Sequence, residues 1–142
     1  FRECKLRILT IFALMMTSSS ALACSCHISS ADDVIADIFS PYVFTAIVKE
    51  ATAIKNDGEY SIVEAKVDIE TTYKGDTSNL RKVRTSLSSS MCGLPITVGA
   101  RYVFVASENG GVSYCSSRII EENSYDSELE TFMQVLKGYA KN

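Results

Sequence analysis

The sequence predicts a mainly β fold: a small five-stranded antiparallel barrel or sandwich, with one short helix before it and one helix after it. Three observations support this prediction. The 142 residues leave room for one domain, and their 46% hydrophobic content is enough for a core. Five runs rich in β-branched and aromatic residues follow one another, with loops too short for parallel crossovers. Helical spacing of apolar residues is confined to the segments on either side of these runs.

Residues 1–23 are expected to be a secretory signal peptide that is not part of the fold. Three of the first seven residues are basic, an apolar run follows from Ile8 to Met16, and small residues lead to Ala21-Leu22-Ala23. The apolar run is shorter than a permanent transmembrane helix requires, so a membrane anchor is the weaker interpretation. Cleavage after Ala23 would leave residues 24–142 as a secreted, extracellular domain, or a periplasmic one in a bacterium.

The charge of that domain argues against nucleic acid as a partner. Without residues 1–23, which hold three of the 14 basic and one of the 17 acidic residues, the chain keeps 11 Lys and Arg against 16 Asp and Glu. No basic stripe remains that could follow a phosphate backbone.

A short helix is predicted directly after the cysteine triplet at residues 24–26. Ser30 is a candidate N-cap with Asp33 three residues later, and Pro41 marks the end of the helical segment. The apolar positions that would share one face of this helix are Val34, Ile35 and Ile38.

The five predicted strands are separated by turn-forming residues. They cover residues 42–54, 61–72, 80–87, 100–107 and 112–116. The second run alternates most clearly, because charged residues lie between Val63, Ala65, Val67 and Ile69. Such alternation is typical of an antiparallel strand with one face in the core and the other in water.

A second helix is predicted near the C-terminus and ends at Gly138. Ser127 and Glu130 have the spacing of a capping box. The apolar residues that follow helical spacing are Leu129, Phe132, Met133 and Leu136. We expect this apolar face to pack on the sheet, since the opposite face is acidic at its start and poorly suited to a membrane surface.

Residues 24–142 contain four cysteines: Cys24, Cys26, Cys92 and Cys115. An even number in an exported protein predicts two disulfide bonds, for which three pairings exist. A bond between Cys24 and Cys26 would close a very tight ring, so both are expected to reach the two later cysteines, in either order. A zinc site is not expected, because Cys92 and Cys115 are isolated in sequence and structural zinc sites usually draw on local pairs. His27 is expected to be an ordinary surface residue.

Enzymatic activity is not expected. A nucleophile needs a neighbouring base, and the single histidine lies beside cysteines assigned to disulfides. The group with chemistry to offer is a new N-terminus at Cys24, whose α-amine and carbonyl oxygen could close a five-membered chelate on one metal ion. A catalytic zinc ion in another protein keeps an open coordination position that could accept such a chelate.

Four motifs occur in an order that is specific when they are taken together. They are CSC at a signal-cleaved N-terminus, YKG closing a central strand, SSMCGLPITVGARYVFVAS around the third cysteine, and YC after the Gly-Gly turn. In this order they resemble the netrin-like inhibitory domain of the tissue inhibitors of metalloproteinases, from Cys24 to about Ile119. The resemblance implies a five-stranded OB-fold barrel and disulfides that join Cys24 to Cys92 and Cys26 to Cys115.

The same resemblance implies a monomeric secreted inhibitor whose partner is a zinc metalloproteinase. The amine and carbonyl of Cys24 would chelate the catalytic zinc of the target, so the protein would need no metal or cofactor of its own. Ser25 would point into the specificity pocket, and Cys26 with His27 would lie along the substrate cleft. A second contact segment would consist of Ser90 and Met91. No stable membrane span is expected.

The sequence also departs from this family. The family's third disulfide in this domain is missing, the predicted C-terminal helix stands where the family has a cysteine-rich subdomain, and HISSADDVI lacks the family's prolines. Two other functions therefore stay open. One is a netrin-like binding or structural module without inhibition. The other is a lipoprotein acylated at Cys24, although Ala21 occupies the position where a lipobox usually has Leu.

Overall fold

A computed structural model of the protein describes residues 24–27, 29–121 and 126–140. The predicted signal peptide at residues 1–23 lies outside the described residues. The elements in chain order are α1 (Ala31–Ala36), β1 (Tyr42–Asn56), β2 (Glu59–Lys74), β3 (Lys82–Ser86), a 3₁₀ turn (Ser89–Met91), β4 (Arg101–Ala106), β5 (Arg118–Ile120) and α2 (Ser127–Lys137).

The five strands form one antiparallel sheet in the order β3-β2-β1-β4-β5. The mainly β fold and the five-stranded antiparallel sheet are therefore confirmed. β1 and β2 make a long hairpin whose ladder contains four register shifts. Such shifts mark β-bulges or irregularities, and a bulge raises the local right-handed twist of a strand. Within the described residues the ladders leave β3 and β5 as the two edges of the sheet.

Both faces of the sheet are covered where β1 pairs with β4, and the side chains there alternate between two buried clusters. One cluster is built around Phe44 and Phe104, whose ring centroids lie 5.6 Å apart. The other contains Val43 and Val103, the neighbours of those residues along β1 and β4, and is covered by the helices. β4 is thus buried on both sides from its second residue onward. The alternation predicted for β2 is also confirmed, with Ala65 and Val67 buried and with Lys66 and Asp68 exposed.

The predicted fifth strand at residues 112–116 is wrong in position. The strand that pairs with β4 begins at Arg118, and the preceding residues fold into a turn in which the Ser117 amide donates to the Ser113 carbonyl at 3.0 Å. Ser117 is buried, and its hydroxyl accepts a hydrogen bond from the amide of Val105 at 2.9 Å. The polar groups of this serine-rich segment are satisfied by the turn itself and by hydrogen bonds to Arg84, Cys92 and Val105, without a strand ladder.

Helix α1 begins as predicted and ends earlier than predicted. The Ser30 hydroxyl accepts from the Asp33 amide, and the Asp33 carboxylate accepts from the Ser30 amide at 3.1 Å, which is a reciprocal capping box. The helix ends at Ala36, so Ile38 lies beyond it and is 83% exposed. The prediction that Ile38 shares the buried face was wrong, because the helix has only six residues and Ile38 lies two residues beyond its end.

Helix α2 covers the second cluster, as its apolar face predicted. Its buried residues are Leu129, Phe132 and Leu136, and Met133 packs against them in part. The predicted capping box of Ser127 and Glu130 is wrong, since Asp126 is the N-cap and accepts from the amides of Glu128 and Leu129, each at 3.1 Å. Asp126 also puts a negative charge at the positive end of the helix.

Candidate functional site

Two disulfide bonds attach the N-terminal triplet to the body of the protein. Cys24 pairs with Cys92 and Cys26 with Cys115, with Cα–Cα distances of 5.4 and 4.9 Å. This is the pairing that the resemblance implies. The partners are 68 and 89 residues apart in sequence, so the bonds tie the start of the domain to two distant loops.

The four sulfur atoms lie in one cluster. The Cys24 Sγ is 3.5 Å from the Cys115 Sγ and 3.9 Å from the Cys26 Sγ, although it is bonded to neither. The Sγ atoms of Cys24, Cys92 and Cys115 all lie within 4.8 Å of one another. All four cysteines are half-buried. The isolation of Cys92 and Cys115 in sequence is therefore not an isolation in space.

The loop that carries Cys92 has a defined backbone conformation. Cys92 follows the 3₁₀ turn and adopts the left-handed region with φ of 57°. Its carbonyl accepts a hydrogen bond from the Tyr114 amide at 2.9 Å, which links this loop to the loop of the other disulfide. A side chain at Gly93 would collide with the carbonyl oxygen of Ser86, so only glycine fits after the cysteine. These contacts hold the two bridge-bearing loops side by side.

The surface around the bridges is formed by residues 24–27, 88–92 and 114–115, which we call the N-terminal ridge. Its predicted contact residues Ser25, His27, Ser90 and Met91 are all exposed. Met91 is a large apolar side chain with 72% of its surface in water. The ridge thus brings together the two sequence-distant segments that the resemblance assigns to target contact.

Tyr114 belongs to the ridge and was missed by the sequence reasoning. Its side chain is 62% exposed, directly before Cys115. The strand predicted over residues 112–116 makes this tyrosine an ordinary packing residue. The signal against a strand is the position of Tyr114 between Ser113 and a cysteine expected in a disulfide, which is typical of a loop.

The chain that leaves the ridge is fixed at the start of α1. Hydrogen bonds from Ser30 lower the pKa of the Asp33 carboxyl, and the charge of His27 contributes a smaller lowering in the same direction. The Asp33 carboxyl of the capping box is therefore ionised at neutral pH. As a result the N-terminal segment is anchored by disulfides on one side of His27 and by a capped helix on the other.

No protein-family model matches the sequence, and no curated protein matches it either. Among the described residues, none of the helices has the length and apolar character needed to cross a membrane.

Proposed function

We propose that the protein is a secreted inhibitor of zinc metalloproteinases that acts through the N-terminus of residues 24–142. The observation that carries the proposal is the attachment of Cys24 and Cys26 to two hydrogen-bonded loops by separate disulfides. A free chain terminus normally loses much conformational freedom when it binds. A terminus held at its first and third residues has lost most of that freedom beforehand, so binding costs less free energy.

The chemistry of the proposal lies in the backbone of Cys24. After cleavage behind Ala23 its α-amine would have a pKa near the reference value of about 8, which leaves a neutral fraction able to bind a metal at physiological pH. The amine nitrogen and the carbonyl oxygen of Cys24 would together displace the catalytic water of the target, so that its zinc, with three protein ligands, becomes five-coordinate. The sulfur of Cys24 takes no part, because it is bonded to Cys92.

Residues of the N-terminal ridge would add contacts to the target beside the chelating group. Ser25 lies between two bridged cysteines and its side chain is exposed, so it is available to enter a specificity pocket. Met91 and Tyr114 supply apolar surface next to the bridges. Tyr is among the residues that most often anchor a protein interface, and Met is enriched in interfaces relative to the rest of the surface.

We further propose that the sheet belongs to an OB-fold barrel. Its support is a parallel bridge between Arg84 of β3 and Gly111, beyond the end of β4. The Arg84 amide donates to the Gly110 carbonyl and the Arg84 carbonyl accepts from the Val112 amide, both at 2.8 Å. These bonds bring one edge of the sheet against the segment that leads to the other edge, as closure of a small barrel requires.

Residence outside the cytoplasm is part of the same proposal. Two disulfides of long sequence separation are typical of proteins that fold in an oxidising compartment. The intact mass of the exported protein, measured with and without reduction, tests this together with the state of Cys24. A chain that begins at Cys24 with two disulfides supports the proposal, and a lipid adduct on Cys24 overturns it.

The decisive experiment compares two forms of the protein that differ by one residue. Residues 24–142 and residues 23–142 are titrated against several zinc metalloproteinases, with a serine protease as control enzyme. We expect inhibition by the first form only, because Ala23 in the second form converts the Cys24 amine into an amide that cannot bind zinc. Equal inhibition by both forms would refute the chelation mechanism, and no inhibition by either would favour a binding module without inhibitory activity.

A matched pair of variants tests the role of the ridge surface. Met91→Ala removes an exposed side chain of the ridge, and Val135→Ala removes an exposed side chain from α2. We expect the first to weaken inhibition and the second to leave it unchanged, with the same far-UV circular dichroism for both. Equal inhibition constants for the two variants would show that Met91 does not contact the target.

A further inference from the structure

The sulfur cluster has dimensions that suit a metal ion once its two internal bonds are absent. A tetrahedral zinc site with zinc–sulfur bonds of about 2.3 Å has sulfur–sulfur distances of about 3.8 Å. Two distances between sulfurs that are not bonded, from Cys24 to Cys115 and from Cys24 to Cys26, are 3.5 and 3.9 Å. Two edges of a zinc–sulfur tetrahedron are therefore already present in the oxidised protein.

Two of the four cysteines are positioned by contacts other than the disulfides. Cys92 is held by the 3₁₀ turn and by the hydrogen bond from Tyr114 to its carbonyl. Cys115 lies in the turn closed by the Ser117 amide on the Ser113 carbonyl. The other two ligands come as one local unit, Cys-Ser-Cys, in which a single segment delivers both sulfurs.

We propose that reduction converts the two disulfides into a four-cysteine site for one tetrahedral, thiophilic metal ion of the zinc class. Two equivalents of a dithiol reductant supply four electrons and four protons, giving four thiols and two oxidised reductant molecules. Binding of one divalent ion then releases the four thiol protons and forms four metal–sulfur bonds. All four cysteines are half-buried, so the reductant and the ion can reach them.

The bound ion would take over the structural role of the disulfides. In the oxidised protein the bonds hold residues 24–26 against two loops, and in the reduced protein four metal–sulfur bonds would hold the same segments. This site is independent of the proposed inhibition, which uses the amine and carbonyl of Cys24 and a zinc ion of the target. Failure of either proposal leaves the other standing.

The test uses residues 24–142, reduced with a phosphine and titrated with Co²⁺ in the absence of oxygen. We expect one Co²⁺ per chain, with the d–d absorption of tetrahedral cobalt and the charge-transfer absorption of four thiolates, and displacement of Co²⁺ by Zn²⁺. Replacement of any one cysteine by serine should weaken binding by at least about tenfold, since loss of supporting groups alone costs 10–100-fold. His27→Ala should bind with unchanged affinity, because four sulfurs complete the coordination.

Three results would overturn the proposal. One is the absence of the tetrahedral spectrum in the reduced protein. Another is a Cys92→Ser or Cys115→Ser protein that binds as tightly as the parent, because the ligands would then lie elsewhere. The third concerns folding: if reduction alone unfolds the sheet, the metal must restore the far-UV circular dichroism and amide protection, and binding without recovery of structure would show that no such site forms.

Discussion

Loss of either disulfide bond is expected to lower the free energy of unfolding by nearly the same amount, although the two loops differ in length. Taken alone, the bonds close loops of 68 and 89 residues, for which the entropy of loop closure gives about 4.4 and 4.6 kcal/mol. Neither bond is alone in the native protein. While one is intact, the other closes only the ring that runs from Cys24 to Cys26 and from Cys92 to Cys115.

The size of that ring determines the expected loss. Its two chain segments span two and 23 residues, as the numbers of the four cysteines give directly. A ring of about 25 residues corresponds to about 3.5 kcal/mol for whichever bond is removed first. Removal of both bonds is then worth about 8 kcal/mol, because the second bond lost closes one of the long loops. Such a loss equals the whole stability of many domains, so the reduced, metal-free protein is expected to be at best marginally folded.

Urea unfolding of two double variants under non-reducing conditions tests this reasoning. Cys24→Ser with Cys92→Ser removes one bond, and Cys26→Ser with Cys115→Ser removes the other, without leaving a free thiol. We expect both to lose about 3.5 kcal/mol and to agree within about 0.5 kcal/mol. A clearly larger loss for the 26–115 pair would show that the bonds act as separate loops. A loss near zero for either pair would refute the account based on loop entropy.

Three further predictions concern the core, a tight turn and an ion pair. Leu136→Ala, in the fully buried part of α2, should lower the free energy of unfolding in urea by about 3 kcal/mol, and exposed Val135→Ala by less than about 0.5 kcal/mol; equal losses would contradict the packing of α2. Gly75→Ala should lower the Tm more than Gly58→Ala. Both residues have positive φ, 81° and 88°, but only at Gly75 would the new Cβ overlap a backbone oxygen, that of Pro41. A larger decrease in Tm for Gly58→Ala would contradict this geometry. Hydrogen bonds from Lys82 and Arg84 of β3 lower the pKa of Glu64 below its usual 4.5. The ionised carboxylate therefore stabilises the fold above pH 4.5, and this stabilisation is lost as the pH falls through the lowered pKa. Glu64→Gln should reduce the loss of stability at acidic pH in urea unfolding, and an unchanged loss would show that the pairing contributes nothing.

Much of the secondary structure could be predicted because its signals are local. The alternation from Val63 to Ile69 places one face of β2 in the core, since side chains alternate across any strand. Ser30 with Asp33 marks the start of α1, because the cap bonds form within three residues. A local signal can also mislead. The spacing of Ser127 and Glu130 predicts a capping box, but the structure uses Asp126 as the N-cap.

The position of the last strand shows where local signals end. Residues 112–116 have strand-like composition, yet their backbone forms a turn, and the ladder with β4 begins at Arg118. The hydroxyl of buried Ser117 accepts a hydrogen bond from the amide of Val105, a residue of β4. Contacts between residues far apart in sequence decide whether residues 112–116 form a turn or a strand, and the composition of the segment does not predict those contacts.

The candidate site divides in the same way. The sequence by itself determined that the domain has four cysteines, that two of them flank Ser25, and that an exported chain cut after Ala23 would begin at the first. Only the tertiary structure decided that Cys92 and Cys115 meet these two in one cluster, and that Met91 and Tyr114 lie exposed beside it. The physical reason is the cost of closing long loops. Contacts over 68 and 89 residues form only when the whole sheet folds and brings the loops together.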